Sequence, residues 1–244
     1  MGILDSAPVP RRTMVLFFII DTSGSMTGQK IGSVNQAVRE VLPMLDEISA
    51  NNADAEIKIA LLEFSTGCQW MYDEPKKASE FKWQDREAGG LTDLGEACIE
   101  LGRKLSRDAF MKADTGAFAP VLILLTDGEP TDDFQGGLKK LKENKWYKAA
   151  IKIAIAIGND ANKEIIKDFT GNMEAVFTVH NLQALKKLIR TVSVTASQIG
   201  SQSTTAGEKD KQTLVVEQVN KEVEETDGAV SGASISPAPD DEWD

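Results

Sequence analysis

Residues 14–26 read Met-Val-Leu-Phe-Phe-Ile-Ile-Asp-Thr-Ser-Gly-Ser-Met. The first seven are all apolar, and Asp21 ends the run before a small, hydroxyl-rich loop. A short, uniformly apolar run closed by turn residues is the pattern of a strand buried on both faces of a parallel sheet. It is the longest apolar run of the chain and far short of the roughly 20 residues a membrane-spanning helix needs. Downstream, Ile31, Val34, Val38, Val41, Leu45 and Ile48 alternate in steps of three and four, which marks one face of a helix. Pro43 lies off that face and is expected to kink or split the helix, because its ring meets the carbonyl of Arg39.

The same alternation continues outward. Ile57–Phe64 and Gln69–Tyr72 read as strands joined so tightly, through Ser65-Thr66-Gly67, that an antiparallel hairpin is expected. Leu94, Cys98, Leu101 and Leu105 give a second amphipathic helix, and Val121–Leu125 another apolar strand. Helices over 134–144 and 162–169 and strands over 151–157 and 175–179 follow. Asn181 is placed to cap a last helix carrying Leu182, Leu185, Leu188, Ile189 and Val192 on one face. Strands alternating with helices predict an α/β fold, doubly wound around a mostly parallel sheet.

Composition sets the outer limits. The chain has 244 residues, 41% hydrophobic, and a formal charge of −11. That argues against nucleic-acid binding, which needs a basic face to displace counterions, and against an anionic membrane surface. Residues 201–244 hold 11 acids and 3 bases, so most of the excess lies there. No signal peptide is read in the N-terminal stretch, and Cys68 and Cys98 are read as reduced thiols. A cytoplasmic location is expected. The reading divides the chain into a leader over 1–10, one domain over 11–200, and an acidic tail over 201–244 expected to be disordered. The exception within the tail is Thr213–Val223, apolar enough to form a strand or a helical turn against a partner.

Three segments carry chemistry. The first strand ends in Asp21-Thr22-Ser23-Gly24-Ser25-Met26, Gly89-Gly90-Leu91-Thr92 precedes the second helix, and Thr126-Asp127-Gly128-Glu129-Pro130 follows Val121–Leu125. In an open parallel sheet ligands bind beyond the carboxyl ends of the strands, where the chain order reverses. Asp21, Ser23, Ser25, Thr92 and Asp127 offer two carboxylates and three hydroxyls. Hard oxygen donors without thiol or imidazole suit Mg²⁺, with Mn²⁺ or Ca²⁺ as alternatives. An ion bound largely through hydroxyls keeps charge for a carboxylate from outside, so the set is suited to gripping an acidic partner.

These residues, in this order, resemble the metal-ion-dependent adhesion site of the von Willebrand factor A family, and the resemblance covers about residues 11–200. It implies a six-stranded sheet with one antiparallel edge strand, helices on both faces and Mg²⁺ at the top. It implies Ser23 and Ser25 as direct ligands, Thr92 as a direct ligand in the ligand-engaged state, and Asp21 and Asp127 acting through water or on the ion. Asp127-Gly128-Glu129-Pro130-Thr131-Asp132 and Val34-Asn35-Gln36-Ala37 further resemble the bacterial TerY-like branch, associated with tellurite resistance and stress response. That branch implies a signalling complex with a protein kinase and a protein phosphatase.

The chain is therefore expected to be an interaction module and not an enzyme. A structural subunit whose metal locks a loop, and a metal-assisted phosphohydrolase, are the alternatives. Asp132 and Asp133 are expected to cap the helix that follows them. His180, the only histidine, is expected to be structural, and Trp70, Tyr72 and Trp83 to pack, with an aromatic rim for partner choice as the alternative. The terminal Asp240-Asp241-Glu242-Trp243-Asp244 offers carboxylates beside an aromatic anchor, so the tail is a candidate occupant of the metal face.

Overall fold

The computed structural model describes residues 11–158, 161–200, 210–224 and 230–231. The leader over 1–10 and the carboxylate-rich segment over 240–244 lie outside these residues. In chain order the elements are β1 (Arg12–Asp21), α1 (Gln29–Asn51), β2 (Ala55–Ser65), β3 (Gly67–Trp70), β4 (Lys76–Lys77), α2 (Leu94–Lys104), β5 (Val121–Thr126), α3 (Phe134–Glu143), α4 (Lys145–Ala149), β6 (Ile151–Ile157), α5 (Lys163–Thr170), β7 (Val176–Val179), α6 (Leu182–Gly200), α7 (Lys211–Glu224) and β8 (Val230–Ser231).

The strands form one sheet in the order β3-β2-β1-β5-β6-β7-β8, with β4 on β2. β2, β1, β5, β6 and β7 are mutually parallel, and β3 closes one edge antiparallel to β2. That is the expected mostly parallel sheet with an antiparallel edge. Two short antiparallel pieces extend it beyond six strands: β4 on β2 and β8 on β7, each two residues long. The edge strand starts at Gly67, two residues before the expected start, because Gly67 (φ 77°) makes the turn and Ser65 pairs directly with it.

Alternation along β1 builds both layers. Met14, Leu16, Phe18 and Ile20 join a core with α1, α6 and α7 on one face of the sheet. Val15, Phe17 and Ile19 join a second core with α2, α3, α4 and α5 on the other. A strand with apolar residues on both sides belongs in the middle of such a three-layer packing, and β1 sits between β2 and β5. Trp70 packs edge-on against Phe17 and Phe110, Tyr72 against Phe81, and Trp83 against the first core, so all three aromatics pack.

Two expectations are corrected. α1 is not split at Pro43: one helix runs over Gln29–Asn51, with Pro43 exposed. A proline forfeits one helical hydrogen bond, and on the solvent side water can serve the released carbonyl while the apolar face stays packed. The second correction concerns the domain boundary at 200. α7 continues the fold beyond it, with Val215, Val216 and Val219 fully or almost fully buried in the first core. Gln212 reinforces it, accepting from Lys152 N (3.2 Å) and donating to Thr170 O (3.3 Å). The segment is too polar to fold alone, but α6 supplies the apolar surface that its valines need.

Candidate metal centre at the strand switch

β1 pairs with β2 on one side and β5 on the other, so the chain order reverses between β1 and β5. Asp21 ends β1, and Asp127 directly follows β5. The register, Ile20 against Leu125, brings Asp21 level with Thr126, whose hydroxyl donates to Asp21 Oδ2 at 2.6 Å. Asp21 Oδ1 accepts from Ser23 N at 2.8 Å, folding the loop back over the strand end. Ser23 Oγ and Ser25 Oγ lie 3.0 Å apart, and Ser25 Oγ donates to Asp127 Oδ1 at 2.7 Å. Lys30 Nζ lies 2.9 Å from the other oxygen, Asp127 Oδ2.

Thr92 arrives from the loop before α2, and backbone hydrogen bonds sew that loop to the first. Gly24 N donates to Gly90 O (3.1 Å) and Gly89 N to Thr22 O (2.8 Å). Gly90 has φ 85°, and a Cβ there would lie 2.6 Å from Thr66 Oγ1, so glycine is required. Further back, Asn35 of α1 donates to Arg86 O (2.9 Å) and accepts from Arg86 N (2.8 Å), anchoring the approach to this loop. The third loop joins through Thr131: its N–H donates to Thr92 O (2.9 Å), and its hydroxyl accepts from Thr92 N (2.9 Å).

Gly128 shows where the side chains converge. A methyl group on its Cα would stand 3.3 Å from Ser25 Oγ, 3.8 Å from Thr92 Oγ1 and 3.9 Å from Asp21 Oδ2. All five residues singled out in the sequence are thus gathered at one place. Asp21, Ser23, Thr92 and Asp127 are buried, while Ser25 is exposed. Burial pushes the Asp21 carboxyl above its ordinary range; hydrogen bonds from Ser23 and Thr126 oppose that, and the charge of Asp127 adds to it. Among the described residues no cluster of three or more histidine, cysteine, aspartate or glutamate side chains is present. This group differs in being built from two carboxylates and three hydroxyls.

Asp133 caps α3 through Gly136 N (3.0 Å), as expected. Asp132 does not cap that helix: its carboxylate accepts from Gly95 N (2.9 Å) and Glu96 N (2.8 Å) and caps α2. A cap contributed by a distant loop leaves no local spacing to read. His180 is buried at the end of β7, two strands from β5. Sequence reasoning missed Thr126, which fixes Asp21, and Lys30, which holds Asp127. It also missed the exposure of Leu91, the one large apolar side chain exposed among the described residues.

A doubly wound sheet with hydroxyl and carboxylate loops at its switch point defines an α/β domain with a candidate ligand site beyond its strand ends. Residues 16–191 match the von Willebrand factor type A domain, and the chain belongs to that family. A mouse collagen alpha-6(VI) chain is 25% identical over 194 residues, 76% of this chain and 8% of its own length. Among solved structures, a von Willebrand factor type A protein from Catenulispora acidiphila superposes with TM-score 0.56 at 19% identity, covering 76% of this chain and 43% of that one. Proximal thread matrix protein 1 from the mussel byssus, with a zinc-occupied metal-ion-dependent adhesion motif, gives TM-score 0.59 at 17% identity, over 76% and 48%. This chain thus spans less than half the length of each of these relatives.

Proposed function

We propose that this chain is a metal-dependent protein-interaction module that grips an acidic side chain of its partner. The carrying observation is the convergence of Ser25 Oγ, Thr92 Oγ1 and Asp21 Oδ2 on the space beside Gly128, with Ser23 and Asp127 hydrogen-bonded into the same group. The donors fit a hard divalent cation, Mg²⁺ first and Mn²⁺ or Ca²⁺ next. Ser23, Ser25 and Thr92 would hold it directly, with Asp21 and Asp127 acting directly or through water. When bound, such a cation supplies an electrophilic position for a carboxylate oxygen. The chain's own residues do the rest: Thr126 and Ser23 N orient Asp21, Thr131 fixes the Thr92 backbone, and the sewn loops present the face.

The reading extends to partners by resemblance. The stretches 127–132 and 34–37 support a place in the TerY-like branch, hence a cytoplasmic stress-response complex with a protein kinase and a protein phosphatase. A metal needed merely to lock the loops is the weaker reading, because direct hydrogen bonds already join all three. The test is metal titration of the purified chain by calorimetry, beside metal-dependent capture of the kinase and phosphatase. Saturable uptake by the wild type, lost in Ser23→Ala and Asp127→Ala, is expected. No uptake of any of the three cations by the folded wild type overturns the reading.

A further inference from the structure

We propose that Lys30 is a tethered counter-cation of this site: it holds Asp127 in the metal-free protein and weakens the hold on a divalent cation. The inference rests on the proposed metal function and adds a regulation to it.

The position of Lys30 is unfavourable for the helix that carries it. It is the second residue of α1, whose first turn contains no acidic residue and whose cap, Gly28, offers no side-chain hydrogen bond. The N-terminal end of a helix carries partial positive charge, so an ammonium there is repelled. What offsets the repulsion is Asp127. The Nζ–Oδ2 distance is 2.9 Å, and the side chains are 17% and 1% exposed. An ion pair this sheltered is screened far less by water and salt than one on the surface.

The charge count gives the pair its meaning. Asp21 and Asp127 are two carboxylates in one buried pocket. Lys30 leaves that pocket with one net negative charge in place of two. Nearby carboxylates are engaged elsewhere: Asp93 accepts from Gly67 N (2.8 Å) and Thr131 Oγ1 (3.3 Å), and Asp132 caps α2. A dication held by Asp127 therefore either meets the repulsion of the ammonium or must displace it from its ion pair, and both weaken the hold. The consequences are a metal that exchanges readily and that keeps more positive charge for the partner's carboxylate.

The test compares wild type, Lys30→Gln and Lys30→Arg, with Mn²⁺ and Mg²⁺ alone as probes, by calorimetry at one fixed pH. Glutamine still donates a hydrogen bond to Asp127 but carries no charge; arginine keeps the charge. Lys30→Gln should bind either metal about tenfold more tightly, as removal of one nearby charge from a partly screened site predicts. Lys30→Arg should stay within about twofold of wild type, and in chelator Lys30→Gln should melt below wild type. Should Lys30→Gln fail to fold, acetyl-lysine installed at position 30 removes the charge and keeps the stem. Metal uptake by wild type that the neutral variant leaves unchanged or weakens overturns this inference alone. No uptake by wild type or variants overturns it together with the proposed function.

Discussion

The two carboxylates at the switch point and the valines of the α6–α7 flank are both buried, yet different forces hold them. Around Asp21 and Asp127 the side chains are polar, and hydrogen bonds join three loops distant in sequence. Along the flank, α7 closes the first core with three valines and one glutamine. Burial in the flank stabilises the fold, whereas burial at the switch holds the Asp21 carboxylate in a place that disfavours its charge. The difference predicts that mutations should separate stability from binding: flank changes should unfold the protein, and switch changes should silence it.

The largest effect is expected in the flank. Val219→Asp places an unpaired charge in the first core and should cost about 3 kcal/mol or more, a fall in melting temperature of about 10 °C by thermal unfolding. A loss under 1 kcal/mol would mean that α7 does not depend on that core. Next comes Thr92→Ala, which should reduce partner capture about tenfold or more while moving stability by less than about 1 kcal/mol. Equal losses of fold and capture would break the separation drawn above.

Asp21→Asn should abolish the metal response without lowering the melting temperature measured in chelator, because the carboxylate it removes is disfavoured by burial. The pH dependence follows with a definite sign. A carboxyl whose folded pKa is raised binds more protons in the native than in the unfolded state. Its contribution to metal-free stability therefore improves as pH falls from the raised folded value toward the ordinary one. The same protonation competes with metal, so the gap between melting curves in metal and in chelator should narrow on acidification, starting above the usual aspartate range. A gap independent of pH would show that Asp21 takes no part. The smallest effect is expected at Leu91, 54% exposed beside Thr92: Leu91→Ser should leave stability within about 0.5 kcal/mol and weaken partner binding a few-fold. A loss larger than that of Thr92→Ala would make the apolar rim, and not the carboxylate, the main determinant of binding.

The two regions also differ in how far they can be read from sequence. The switch loops are legible because each is a short local motif, and the strands before Asp21 and Asp127 are apolar runs with clear ends. The α6–α7 flank is not. Leu214, Val215, Val216 and Val219 stand out in the sequence, but small and polar neighbours make the region look like a solvated tail. Only packing against α6 turns the three valines into core. Asp132 illustrates the same limit on a smaller scale, since nothing local says that a residue preceding α3 will cap α2.

The sequence by itself determined the alternation of strands and helices, the burial of β1 on both faces and the five oxygen-bearing residues, because local periodicity and loop chemistry are written into neighbouring positions. Tertiary structure alone decided that Asp21 and Asp127 share one pocket, that Thr126 and Lys30 hold them, and that the fold continues through α7. Those facts depend on strand order and on contacts between segments up to about a hundred residues apart, and local pattern does not specify such distances.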